Sequence, residues 1–106
     1  MDASYLWNML ANEQLMESLR SYFAGQPVKQ AYLFGSFARG VADESSDVDI
    51  LVELDHSKPI GLGFVQMSLD LEALLGRHVD LVTTKGLSPH VKPFVDRDKK
   101  LIYARA

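Results

Sequence analysis

The chain contains no cysteine, one tryptophan, four prolines and seven glycines in 106 residues. Without cysteine there is no disulfide framework and no thiolate metal site, which fits a reducing, cytoplasmic setting. No apolar run approaches the roughly 18 residues of a membrane span, and the N-terminus lacks a basic-then-apolar leader pattern. Positive charge is also scarce: 11 Lys and Arg against 14 Asp and Glu give a formal net charge of −3. Broad, sequence-independent binding of nucleic acid needs clustered cations and is not expected. Repeats and low-complexity tracts are missing as well. What remains is an ordinary globular composition, 47% hydrophobic and 24% charged, enough for one core and one domain spanning residues 1–106.

Apolar periodicity divides the chain. Residues 1–24 read as a helix, with Leu6, Met9, Leu10, Leu15, Met16, Leu19, Tyr22 and Phe23 at three- and four-residue steps and Gly25 and Pro27 beyond its end. Tyr5 and Trp7 fall off that stripe, either as ordinary exposed aromatics or as a docking surface for a partner. Val28 to Phe34 reads as a strand that stops at Gly35, and Ser36 to Arg39 as one helical turn. Val48 to Leu54 is a second strand, with Val48, Ile50, Val52 and Leu54 on one face and Asp49, Leu51 and Glu53 on the other. Leu51 implies that even the acidic face is partly covered.

Gly61 to Leu75 reads as a helix with Leu62, Val65, Leu69 and Ala73 on its apolar face and Leu74 and Leu75 widening it, ended by Gly76. Val79 to Val82 is a third strand, so strand, helix and strand form a crossover whose strands run parallel. Pro89 to Asp98 reads as a loose helix limited by Pro93, and Leu101 to Tyr103 as a short edge strand. The fold class is α+β (mixed α/β), a small mixed sheet packed with helices.

One stretch carries chemistry. Gly35-Ser36 closes the first strand, and after ten intervening residues Asp47-Val48-Asp49 opens the second. The acidic spacing alone proves nothing, because Glu53/Asp55, Asp70/Glu72 and Asp96/Asp98 share it. If strands one and two are antiparallel and two and three parallel, Gly35-Ser36, Asp47, Asp49 and Asp80 gather at one end of the sheet. Converging carboxylates repel by roughly 4 kcal/mol per pair at 4 Å and an effective dielectric of 20. A shared proton or a divalent cation relieves that repulsion.

With no histidine or cysteine in the stretch the donors are all oxygen, which favours Mg²⁺ or Mn²⁺ over zinc. Mg²⁺ commonly completes its shell with substrate phosphates, making a nucleoside triphosphate the natural co-ligand. In a two-ion arrangement Asp47 and Asp49 would bridge and Asp80 would complete the ion that activates a hydroxyl. Gly35 and Ser36 offer backbone N–H groups and a hydroxyl to phosphate. Arg39 is placed to reach the phosphates or to pair with a carboxylate such as Asp43.

Gly35-Ser36-Phe37-Ala38-Arg39-Gly40, followed by Ser46-Asp47-Val48-Asp49-Ile50-Leu51-Val52, resembles the signature of the DNA polymerase β-type nucleotidyltransferase superfamily, in its minimal, MntA-like branch. The resemblance runs through Val79-Asp80-Leu81-Val82-Thr83 to Leu101-Ile102-Tyr103-Ala104, about residues 28–103. It implies metal-dependent attack of a hydroxyl on the α-phosphate of a nucleotide, with Gly35 and Ser36 holding phosphate and Asp47, Asp49 and Asp80 as catalytic metal ligands. Many members of that branch resemble antitoxins paired with a helical HEPN ribonuclease toxin, which implies transfer of AMP from ATP to a toxin tyrosine. At 106 residues there is no room for the further domains of larger relatives, so a partner protein is the economical source of the acceptor. A non-catalytic module acting by occlusion, and transfer to a small molecule, are the competing readings.

The remaining polar features have plainer explanations. His56, His78 and His90 show no ligand spacing, although His78 shares a face with Asp80. Gly61-Leu62-Gly63 lacks both the preceding strand and the third glycine of a dinucleotide fingerprint. Lys99-Lys100 is too short for a nucleic-acid patch, and Lys85 is at most a phosphate contact.

Overall fold

The computed structural model describes residues 3–105, with side chains from Asn12 to Arg105. Its elements in chain order are α1 (Ala3–Phe23), β1 (Val28–Phe34), α2 (Gly35–Arg39), β2 (Val48–Leu54), α3 (Gly63–Leu75), β3 (Val79–Thr83), α4 (Lys92–Asp98) and β4 (Lys100–Ala104). The four strands lie in the order β3-β2-β1-β4. β1 pairs antiparallel with both β2 and β4, and β2 pairs parallel with β3 through the α3 crossover. This is the mixed sheet expected from the apolar pattern, with β4 on the edge.

Alternation assigns the two faces of the sheet. Val28, Ala31, Leu33, Val48, Ile50, Val52, Val79, Leu81 and Ile102 point into one core with Leu15, Leu19 and Phe23 of α1, Phe37 and Ala38 of α2, and Met67 and Leu71 of α3. The α1 residues recur at four-residue steps, as the sequence requires of a helix lying on a sheet. The side chains of Tyr5 and Trp7 lie outside the described residues. On the opposite face Leu51 is buried apart from that core, as is Val95 of α4. The Lys99 ammonium at the end of α4 stands 4.8 Å over the Tyr32 ring on that same face.

Two expectations about helices need correcting. The core-facing side of α3 is Met67 and Leu71, with Phe64 and Leu75 packed beside them, whereas Leu62, Val65 and Leu69 are 84%, 56% and 55% exposed. The helix carries two apolar stripes half a turn apart, both satisfying the same periodicity, and the sheet takes the one holding the bulkier Phe and Met. Pro93 does not disturb α4 but lies in its first turn, where the missing N–H costs no helical hydrogen bond. No helix among the described residues is long and apolar enough to cross a membrane.

At the end of the sheet away from Asp49 the chain is latched by Asp55, which is 4% exposed. It accepts from the Ser57 hydroxyl at 2.6 Å and from Arg105 at 2.6 Å, tying the end of β2 to the segment after β4. These hydrogen bonds, from Ser57 first and Arg105 next, hold its carboxyl well below the usual carboxylate range.

Candidate active site

β1 ends in a turn that only glycine fits. Gly35 has φ 72°, the left-handed region, and a Cβ at this position would run into the carboxylate of Asp49. The chain then makes the single turn α2, closed by Gly40 in the left-handed conformation and by the Val41 N–H donating to the Ser36 carbonyl at 3.0 Å. Phe37 and Ala38 anchor this turn in the core, which leaves Gly35 and Ser36 at the sheet end and Arg39 exposed.

The loop to β2 is organised by Asp43. Its Oδ1 accepts from the Ser45 N–H at 2.9 Å, the Ser45 hydroxyl at 2.8 Å and the Ser46 hydroxyl at 3.2 Å, and these bonds lower its pKa. Asp43 is therefore not the partner of Arg39. The Arg39 guanidinium instead donates to Asp98 Oδ2 of α4 at 3.1 Å. Burial pushes the Asp98 carboxyl up, but hydrogen bonds from Arg39 and Arg97 outweigh it and hold the group below its ordinary value.

The sheet register brings the acidic residues together. Phe34, immediately before Gly35, pairs with Asp49, and Asp49 pairs with Asp80 in the parallel ladder. Asp47 precedes β2 beside His78, whose carbonyl accepts the Val48 N–H at 3.0 Å. Burial raises the Asp49 pKa to about 6, with Asp80 and then Asp47 adding repulsion and Arg39 and His78 opposing it. Gly35-Ser36, Asp47, Asp49 and Asp80 thus share one end of the sheet, as the sequence predicts. Among the described residues no three acidic or histidine side chains are already drawn into a coordination cluster.

His78 lies closer to this group than its isolation in the sequence suggests. Its Nδ1 is 3.4 Å from Asp47 Oδ2 and its Nε2 is 3.8 Å from Glu72 Oε2, and Glu72 accepts the Val79 N–H at 3.1 Å. Lys85 is elsewhere. It follows the far end of β3, and at about 3.3 Å per strand residue Thr83 is already about 10 Å from Asp80. His56 likewise belongs to the turn after β2, at the opposite end from Asp49. Sequence reasoning missed Asp98, Glu72 and Arg77, none of which carries a local signal of its role.

With this geometry in place, comparison with known proteins is direct. The sequence profile of the nucleotidyltransferase domain family matches residues 13–102, and the chain belongs to that family. It is a nucleotidyltransferase of the minimal, MntA-like kind. A protein of Methanocaldococcus jannaschii provisionally named a protein adenylyltransferase is 44% identical over 78 residues, covering 72% of this chain and 76% of its own. The protein adenylyltransferase MntA of Thermococcus cleftensis is 44% identical over 71 residues, 67% of this chain and 71% of its own. A solved structure provisionally described as a minimal nucleotidyltransferase superposes with a TM-score of 0.70 at 33% identity, covering 88% of this chain and 93% of that one. A chain from a toxin–antitoxin crystal structure with AMP-PNP has a TM-score of 0.72 at 22% identity, covering 85% and 73%, a likeness of fold.

Proposed function

We propose that this protein is a divalent-metal-dependent protein adenylyltransferase, moving AMP from ATP to a tyrosine hydroxyl of a HEPN-type toxin and so acting as its antitoxin. The observation that carries the chemistry is the register pairing of Asp49 with Asp80, beside a glycine turn that leaves no room for a Cβ. The names of the Methanocaldococcus and Thermococcus relatives support the reaction class. A related fold solved as an MNT antitoxin with a tri-AMPylated HEPN toxin of Shewanella oneidensis, 21% identical with a TM-score of 0.60, supports the partner.

The donor set suits a hard dication. Asp47, Asp49 and Asp80 offer only oxygen, and the raised pKa of Asp49 records burial first and repulsion from Asp80 and Asp47 next, both of which a bound cation would offset. Asp47 and Asp49 would hold Mg²⁺ or Mn²⁺ with Asp80 completing the site, and the ion would neutralise phosphate charge and acidify the acceptor hydroxyl. In the transfer, the acceptor oxygen bonds to the α-phosphorus, the bond from that phosphorus to the bridging oxygen breaks, and pyrophosphate leaves. Gly35 and Ser36 hold the phosphates through backbone N–H and hydroxyl donors, and Arg39 balances their charge. The Asp80 carboxylate receives the acceptor proton.

The test is a reaction of α-labelled ATP, Mg²⁺ and a HEPN-type toxin, resolved by mass. A gain of AMP on a toxin tyrosine is expected from the parent protein and none from Asp49→Asn. Equal labelling by a folded Asp47→Asn/Asp49→Asn double variant would refute the assignment.

A further inference from the structure

Arg77 joins the two halves of this site. Its guanidinium donates to the Ser46 carbonyl at 3.0 Å and reaches the Asp43 carbonyl at 3.4 Å. Its Cζ also lies 5.1 Å from the centroid of the Phe37 ring, which is 2% exposed. Ser46 is bonded directly to Asp47, so the carbonyl that Arg77 holds belongs to the peptide that sets the direction of Asp47. Phe37 follows Ser36 directly. Arg77 itself stands three residues before Asp80.

Besides Arg77, the loop is held by Ala42, which is buried in the core, by its ends and by its own turn. Val41 is tied to Ser36, Val48 to the His78 carbonyl, and Asp43 to Ser45 and Ser46. Those bonds shape the loop without attaching its last peptide to the α2 turn. A planar guanidinium holds both carbonyls through fixed donors while it lies over the ring, whereas an ammonium is a point charge with rotatable donors and no plane to stack.

From this geometry we infer that Arg77 is a positioning residue, which sets Asp47 relative to the Gly35-Ser36 turn and thereby the affinity of the carboxylate site for its cation. The inference rests on the proposed metal role of Asp47 and Asp49. Groups that orient metal ligands in this way typically change metal affinity or activity by about 10- to 100-fold when removed.

The test is direct titration of the purified protein with Mn²⁺, following the free-ion electron paramagnetic resonance signal, for the parent, Asp49→Asn, Arg77→Ala and Arg77→Lys. Arg77→Ala is expected to weaken Mn²⁺ binding about 10- to 100-fold. Arg77→Lys, which keeps the charge but loses the planar fork of fixed donors, should fold as the parent does by circular dichroism and bind with intermediate strength. In turnover, the half-saturating metal concentration should rise in the same order. A purely structural role would instead lower melting temperature and active fraction and leave metal affinity unmoved. Mn²⁺ affinity in folded Arg77→Lys equal to the parent's overturns the inference. If Asp49→Asn binds Mn²⁺ as the parent does, the metal site itself is wrongly assigned and the role of Arg77 falls with it.

Discussion

Asp49 and Asp80 occupy opposite positions in the parallel ladder of β2 and β3, so both carboxylates leave the same face of the sheet one strand spacing apart. Such a pair opposes folding while it is bare and ionised. The raised pKa of Asp49, caused by burial and then by Asp80, is the mark of that cost. After solvent screening at this partly exposed position the penalty is about 1 kcal/mol. Asp49→Asn is therefore expected to raise the melting temperature at pH 7.5 by about 4 °C while lowering AMP transfer about 1000-fold. Mg²⁺ should raise the melting temperature of the parent and not of the variant. Thermal unfolding with and without Mg²⁺ checks both statements.

The pH dependence of this effect has a definite sign. Between the ordinary value of 3.8 and the folded value of about 6, the folded protein holds a proton on Asp49 that the unfolded chain has lost. Asp49 therefore makes stability fall as pH rises through that window, and the advantage of Asp49→Asn should vanish near pH 4. Asp55 behaves oppositely, because Ser57 and Arg105 depress its pKa. Its contribution is full above about pH 4 and is lost as acid protonates it. Asp55→Asn should lower the melting temperature at pH 7.5 by several degrees, with the difference narrowing below pH 4. At limiting Mg²⁺ the transfer rate should also fall below about pH 6, as protons compete with metal for Asp49.

Gly35 is required by its left-handed φ and by its closeness to the Asp49 carboxylate. Gly35→Ala should cost about 1 to 2 kcal/mol in stability from the backbone alone. The displaced Asp49 should lower transfer by at least about 100-fold, a loss of about 3 kcal/mol in transition-state stabilisation. Denaturant unfolding and single-turnover transfer, measured on the same preparation, separate the two effects.

In the proposed site Arg39 would balance phosphate charge, and it already bears on Asp49. Its charge lowers the Asp49 pKa, so Arg39→Ala should move the acid limb of the pH–rate profile upward as well as raise KM for ATP about tenfold. Asp98→Asn removes only the ion pair behind Arg39 and should leave the acid limb in place. Rate profiles between pH 5 and 8 distinguish the two variants.

Much of this was legible in the sequence because the signals were local. Alternation from Val48 to Leu54, broken only by Leu51, with glycines at 35 and 76, gave the strand and the stops, and the crossover then placed Asp80 beside Asp49. The sequence was ambiguous where two local answers were equally good. α3 satisfies helical periodicity on two sides, and only the sheet beneath decides for Met67 and Leu71 over Val65 and Leu69. Long-range pairing of charged side chains was not legible. Arg39 meets Asp98 across 59 positions, and Arg77 reaches back 31 to the carbonyl before Asp47. Cations choose such partners after the backbone has placed them, and no spacing rule anticipates the choice.

The most direct measurement of the central claim is the intact mass of a HEPN-type toxin after incubation with this protein, ATP and Mg²⁺. The account predicts a mass increase by one or more AMP units on the toxin, dependent on Asp47 and Asp49 and abolished by chelating the metal. A toxin that is neutralised with its mass unchanged, equally well by Asp47→Asn/Asp49→Asn, would contradict it and leave occlusion as the mode of action.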